Sequence, residues 1–344
     1  MSSLVIQPMK LGDLIQATPL LKEIKNSFPP LTLVVSRPEV ALAAQLSQLP
    51  DQIIHLPEDE FIKNSFSQES LTKIKNIPEK LSILINLSSS EASLNFTNKF
   101  SVALKLGPQK SPNGLLFPPA QKLAAAIMAV DRPLGRLNLV DLWRLLAPAG
   151  PASGRRLHWP TEASLDHDPQ ALAQALNRPS LTWPLQAQPY PLIGLHLGSG
   201  HHLRRWPIER FVQLAQALPS AGLVLLGGSG EKVLARKFLD LIGRAGPQPP
   251  LDLTGQTPLA ALGSVIKRLD LFVAADTGVT HLAAAVGTKV LAIFGGPALA
   301  GETGPYAPGS VIVQGQAPCS PCAENRSCPK KPCPALPQVA PVLR

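Results

Sequence analysis

DLFVAADTGVTHLAAAVGTKVLAIFGGP (residues 270–297) holds a complete structural unit. DLFVAA and KVLAIFG are apolar runs of strand length, and VTHLAAAVG between them has helical spacing. Strand, helix, strand in so few residues is the parallel βαβ unit, whose strands are covered on both faces. From residue 274 onward its only ionisable side chains, apart from Lys289, are Asp276 and His281. Both sit where the first strand gives way to the helix, with Thr277 and Gly278 between them. A helix N-terminus offers free backbone N–H groups and about half a unit of positive charge, so it accepts anions. Thr277 and Gly278 are small enough to let a phosphate approach that backbone. His281 is placed to bond a phosphate oxygen, and Asp276 to orient the loop or a ligand hydroxyl. The plain alternative is structural: Thr277 caps the helix, Asp276 complements its dipole and His281 is an ordinary surface residue.

The rest of the second half repeats this alternation. LIGLHLG, LVLLGG and the two strands above alternate with the helical patterns IERFVQLAQAL and EKVLARKFLDLIG. LHLGSGHHLRRWPIERF (residues 195–211) again runs from a strand into a polar loop. Gly198, Ser199 and Gly200 suit a loop passing close to a ligand. Arg204 or Arg205 could neutralise a diphosphate, each pair contributing roughly 4 kcal/mol before desolvation at 4 Å and an effective dielectric near 20. A solvated arginine pair, with Trp206 as packing, is the alternative. In LLGGSGEK (residues 225–232), Glu231 is either an acceptor for a ribose hydroxyl or an ordinary first-turn acid. The first half opens the same way. SLVIQ reads as a strand, LIQATPLLKEIKNSF as a helix closed by Pro29 and Pro30, and TLVVS as the next strand. LSILIN is a further buried strand, and residues 121–147 have helical spacing interrupted by Pro133. In MKLGDLIQATP (residues 9–19) Asp13 stands at the helix start, where a carboxylate serves either as a general base or as a cap.

These patterns predict an α/β protein of two doubly wound domains side by side, whose ligands bind beyond the carboxyl ends of the strands. A chain of 344 residues is long enough for two cores. The interdomain linker is placed at residues 177–191, where proline recurs and periodicity weakens. The domains are then residues 1–176 and 192–318, with a cysteine- and proline-rich tail at 319–344. Asp166, His167 and Asp168 in the proline-rich region read as a solvated loop rather than a metal site. CSPCAENRSCPKKPC places Cys319, Cys322, Cys328 and Cys333 as a candidate zinc knot, with unliganded thiols as the alternative.

The formal charge of +9 is uneven, with 15 Lys and Arg against 8 Asp and Glu in residues 178–344. Residues 61–110 hold seven lysines against three glutamates. Such excess attracts phosphates or anionic lipid heads, or else marks a solvated surface. Aromatics are 5% of the chain and no RNP-like or zinc-finger pattern occurs, which disfavours nucleic acid. The acidic residue near the N-terminus and the lack of a long apolar run point to a cytoplasmic protein. A nicotinamide oxidoreductase is disfavoured because QPMKLGD follows the first strand where a GxGxxG turn is required.

Three segments in order resemble glycosyltransferase family 9, the heptosyltransferases. KLGDLIQATPLL is similar to the family's LGD opening and Thr-Pro helix. GLHLGSGHHLRRWPIERF resembles its Lys-x-Trp-Pro segment, and LTGQTPLAALGSVIKRLDLFVAADTGVTHLAAAVGTKVLAIFGGP its Asp-Thr-Gly-x-x-His region. The CSPC cluster is similar to the tail of many members. Residues 40–190 match poorly. The resemblance implies a GT-B fold, two Rossmann-like domains facing a central cleft, with acceptor on the N-terminal and nucleotide sugar on the C-terminal one. It implies ADP-heptose as donor and, as acceptor, a phosphorylated glycolipid at the inner face of the cytoplasmic membrane: Kdo-lipid A or heptosylated core. Asp13 matches the family's proposed general base. Asp276, Thr277, Gly278 and His281 match its donor contacts; Ser199, Arg205 and Glu231 are donor-binding candidates from the reading of their own loops. Arg204 stands where the family carries a phosphate-binding lysine; arginine keeps the charge and offers two parallel contacts without the compact head. The implied displacement requires no metal. The other readings are a relative using a different nucleotide sugar and a non-catalytic nucleotide-sugar-binding protein.

Overall fold

The computed structural model of the chain describes residues 2–7, 10–88, 90–111, 114–116, 138–144, 146–147, 156–161, 166, 168–176, 178, 189–243, 246–320, 322, 328 and 332–342. It divides into two compact units, Met1–His158 and Trp159–Arg344.

In the N-terminal unit, β1 (Ser3–Ile6), β2 (Leu31–Val35), β3 (Gln52–His55), β4 (Ile83–Asn86) and β5 (Leu104–Leu106) form a parallel sheet in the order β3-β2-β1-β4-β5. β1, β2 and β4 are buried along their whole length, as strands covered on both faces must be. A short antiparallel hairpin, β6 (Gln109–Ser111) with β7 (Gly114–Leu116), follows. Helix α1 (Leu11–Ser27) leaves β1, and α2 (Pro38–Ser47) leaves β2. α1 begins before Gly12, so Asp13 lies within its first turn rather than ahead of it. The Asp13 carboxylate accepts the Lys10 N–H at 3.1 Å, which satisfies a donor otherwise orphaned at the helix start. Of the helical pattern over residues 121–147, Leu139–Arg144 is helical and residues 121–137, Pro133 among them, lie outside the described residues.

In the C-terminal unit, β8 (Leu192–His196), β9 (Gly222–Leu226), β10 (Leu251–Asp252), β11 (Leu271–Ala275), β12 (Val290–Phe294) and β13 (Val311–Gln314) form a parallel sheet. Its order is β10-β9-β8-β11-β12-β13. In each unit the first strand is central and the winding reverses beside it, between β1 and β4 and between β8 and β11. The chain crosses away to opposite sides there, which opens a crevice at the carboxyl edge.

Among the described residues Trp206 is the largest fully buried side chain, and it sits edge-on to Phe211 at 4.8 Å. Its indole N–H donates to the Pro337 carbonyl at 2.8 Å, and Arg210 donates to the Leu336 and Pro337 carbonyls. Cys333, Ala335, Leu336 and Val342 thereby join the core of this unit. Residues 333–342 are therefore part of the domain that the sequence ends at residue 318.

The units meet between His158 and Trp159, whereas the sequence places the linker at 177–191, most of which lies outside the described residues. Trp159, Asp166 and the helix Pro169–Ala175 pack with the C-terminal unit. Asp166 corrects the expectation of a solvated loop: its side chain is only 5% exposed and it accepts bonds from Thr161, from Ser264 at 2.7 Å and from Lys267. Burial alone would raise its carboxyl, but those donors hold it below the ordinary carboxylate value. Asp168 caps the helix Pro169–Ala175 by accepting the Gln170 N–H, and His167 lies outside the described residues.

Candidate functional site

β8 and β11 run side by side, with His196 opposite Ala274, so the loops after both strands emerge together at the winding reversal. Their sequences fix how they meet. The Ser199 hydroxyl donates to the Asp276 carbonyl at 3.0 Å, pinning the Gly-Ser loop to the end of β11. A single 3-10 turn, His202–Arg204, then carries Arg204 back so that its Nη1 lies 2.7 Å from Asp276 Oδ2. The Asp276 side chain is 5% exposed and that of Arg204 22%. A carboxylate this deep requires a partner, and Arg204 supplies it. Asp276 thus acts on the cation, holding it at the crevice. Arg205 is half-buried, and its Nε finds no hydrogen-bond partner among the described residues.

The helix Gly278–Val286 starts immediately after this pair. Thr277 occupies the cap position in an extended conformation, yet its side chain caps nothing. Its carbonyl instead accepts the Thr280 hydroxyl, so the capping alternative raised by the sequence does not hold. His281 is not a surface residue either, being 4% exposed. Burial pushes its imidazole down to about 4, so it is neutral near pH 7. Its Nδ1 is buried without a hydrogen-bond partner among the described residues. The uncapped helix start, the arginine paired with Asp276 just ahead of it and the neutral histidine in its first turn are groups suited to a diphosphate.

Glu231 approaches from the loop after β9. Its carboxylate accepts the Gly228 N–H at 2.8 Å and its side chain lies against Gly198, where an added Cβ would fall 2.4 Å from Glu231 Cγ. Sequence reasoning missed His196, the last residue of β8. It is 5% exposed, and its Nδ1 lies 3.2 Å from the Gly198 carbonyl oxygen in the geometry of a donated N–H. Burial pushes its imidazole down, while the Glu231 carboxylate and the Gly198 carbonyl pull the other way. The available signal was its place: the one polar side chain in LIGLHLG, directly before the Gly-Ser loop.

Asp13 belongs to the N-terminal unit, at the exit of β1. At the exit of β4, Asn86 donates to the Pro108 carbonyl and accepts the Ser88 N–H, and Ser90 caps the helix Glu91–Thr97. The four cysteines are free thiols, exposed at Cys319 and buried at Cys333. Among the described residues no group of three or more His, Cys, Asp or Glu side chains is arranged to hold a metal.

The buried histidines give a stability signature. Above the ordinary value of 6.5, His281 is neutral in both folded and unfolded chains. As pH falls the unfolded chain takes the proton first, so stability is lost from about 6.5 down toward 4. For His281 the loss is about 2 kcal/mol between pH values of about 7.5 and 5. His196 and His158, also lowered chiefly by burial, act in the same direction. Asp51 and Glu209, whose carboxyls are lowered, release their share only in more acid solution. Urea unfolding at the two pH values is expected to show a smaller acid loss for His281→Gln than for wild type. Equal losses would rule this account out.

The family model described as glycosyltransferase family 9 (heptosyltransferase) matches residues 123–332. Lipopolysaccharide heptosyltransferase 1 of Pseudomonas aeruginosa is 31% identical over 147 residues, which are 42% of this chain and 39% of that protein. The match to this curated relative thus spans well under half of its length. Among solved structures, a family 9 glycosyl transferase from Veillonella parvula superposes with a TM-score of 0.73 at 18% identity, covering 99% of this chain and 95% of that one. E. coli ADP-heptose LPS heptosyltransferase II gives 0.62 at 18% identity, covering 91% and 90%. E. coli heptosyltransferase WaaC with ADP gives 0.61 at 17% identity, covering 91% and 92%. At these identities the likeness is one of fold, the GT-B class with its two parallel sheets. With the family model matched over more than half of its length, the chain belongs to glycosyltransferase family 9, the heptosyltransferase family.

Proposed function

We propose that this protein is an inverting glycosyltransferase that moves a heptosyl residue from ADP-heptose to a hydroxyl of the lipopolysaccharide inner core, either Kdo-lipid A or a heptosylated core. The observation that carries the reading is the crevice between β8 and β11, where Arg204 is held on Asp276 beside the uncapped start of Gly278–Val286 and the neutral His281. Asp13 takes the proton of the acceptor hydroxyl as its oxygen bonds the anomeric carbon. The bond from that carbon to the diphosphate breaks on the opposite face, so configuration inverts. Charge developing on the leaving diphosphate is met by Arg204, by His281 and by the N–H groups after Thr277. These cationic and dipolar groups supply what a divalent ion would otherwise provide. Arg205 and Ser199 line the same loop, and Glu231 is the acceptor for a ribose hydroxyl of the donor.

Support for the donor comes from the relatives: one E. coli structure is of an ADP-heptose enzyme and another holds ADP. Support for the acceptor class comes from the lipopolysaccharide heptosyltransferase of Pseudomonas aeruginosa. No helix among the described residues is long and apolar enough to cross a membrane. The acceptor, a phosphorylated glycolipid, is proposed to be met at the inner face of the cytoplasmic membrane.

Calorimetric titration with ADP, UDP, GDP and NAD, each with and without EDTA, tests the donor. Selective ADP binding that survives chelation is expected. Preference for UDP or GDP would discard the heptose donor in favour of another nucleotide sugar, and binding of NAD alone would sink the transferase reading.

A further inference from the structure

A polar groove of about 300 Å3 lies in the N-terminal unit beyond the carboxyl ends of β2 and β3, and the chemistry above leaves it unused. Ser36, Arg37, Glu39, His55 and Glu58 supply its polar lining, and Pro38 and Pro57 its apolar part. Its size is at the lower end of small-molecule sites, roughly 300–1,000 Å3. In a doubly wound sheet ligands bind beyond the carboxyl ends of the strands, foremost at the winding reversal, which here lies between β1 and β4. β2 and β3 are the first and second neighbours of β1, whose exit leads to Asp13. With strands about 4.8 Å apart, the groove opens one to two strand widths along the edge from that exit.

The charges decide what it can hold. Arg37 is already engaged: its Nη2 lies 2.8 Å from Glu58 Oε1, and its Nη1 3.9 Å from Glu39 Oε1. Two carboxylates against one guanidinium leave an excess of negative charge, which repels phosphate. The same carboxylates accept hydrogen bonds from hydroxyls, and the Ser36 hydroxyl can donate or accept. His55 Nε2 is buried with no hydrogen-bond partner among the described residues, a polar atom that a hydroxyl could satisfy after a ring rotation. The rings of Pro38 and Pro57 suit the C–H face of a pyranose.

We propose that this groove reads an uncharged sugar ring of the acceptor through its hydroxyls, not through its phosphates or carboxylates. The assignment rests on the transferase reading and extends it to what the acceptor must present near Asp13.

Saturation-transfer NMR of the full chain with methyl pyranosides of glucose, galactose and mannose tests it, with inorganic phosphate as competitor and ADP calorimetry on the same samples. At least one pyranoside is expected to receive saturation, phosphate is expected not to displace it, and Glu58→Gln and Arg37→Gln are each expected to weaken it about tenfold with ADP binding unchanged. Both variants lie on an exposed edge, and matched thermal melting establishes that they fold. No saturation in the wild type, displacement by phosphate, or equal signals in wild type and both variants would overturn the assignment. A wild type that takes a pyranoside but not ADP would keep the groove and discard the nucleotide-sugar reading.

Discussion

Asp13→Asn is expected to slow glycosyl transfer by about 10²–10⁴-fold, the usual contribution of a positioned proton acceptor, while ADP binds as tightly as in wild type. Asparagine matches aspartate in shape, and its carbonyl oxygen can still accept the Lys10 N–H that Asp13 accepts at 3.1 Å. The start of α1 therefore survives and only basicity is lost. Asp13→Ala removes both functions and is expected to destabilise the helix start by a further ~1 kcal/mol. The measurement is ADP release from ADP-heptose with acceptor present, beside a thermal melt of each variant. An Asn variant that turns over at the wild-type rate would remove Asp13 from the mechanism and leave it a capping residue.

Arg204→Ala is expected to act twice. Transfer should fall by about 10²–10³-fold, because a donor aimed at the charge of the leaving diphosphate is gone. Stability should fall by about 3 kcal/mol, because Asp276, 5% exposed, is left buried without its cation. The two effects separate in a double variant. Adding Asp276→Asn removes the stranded charge, so the urea midpoint is expected to recover while the rate does not. Recovery of the rate as well would mean that Arg204 serves only to neutralise Asp276, and the diphosphate would need another cation, with Arg205 the nearest in sequence.

Much of this architecture is legible in the chain because the strands of a doubly wound sheet are short apolar runs between glycines and helical spacings. β8, β11 and β12 fall inside the runs LIGLHLG, DLFVAA and KVLAIFG, each trimmed by the residues that turn out of the sheet, and β9 begins one residue ahead of LVLLGG. β3 and β10 give no such signal: QIIH is mostly half-buried, and Leu251–Asp252 is a strand of two residues. Asp276, Thr277, Gly278 and His281 are readable as a helix start, but their roles are not. Whether His281 is buried depends on what packs over its helix, and the bond between Arg204 and Asp276 exists only because β8 and β11 are neighbours. Asp166 escaped for a related reason. Its partners Ser264 and Lys267 lie in a different helix, and a proline-rich context looks like solvent-exposed loop when those partners are unseen. A lone histidine inside an apolar strand resembles ordinary core, which concealed His196.

Gly198 and Glu231 form a coupled pair for anyone comparing this chain with its kin. A methyl group at position 198 would stand 2.4 Å from Glu231 Cγ and 2.6 Å from Oε1, and what would yield is the far end of a flexible side chain rather than the sheet. The fold would tolerate such a change, and the carboxylate would be evicted from its place beside the Gly-Ser loop. Evolutionary drift at position 198 is therefore bound to position 231. A sequence with a side chain at the first must shorten or redirect the second, so the two positions are expected to change together.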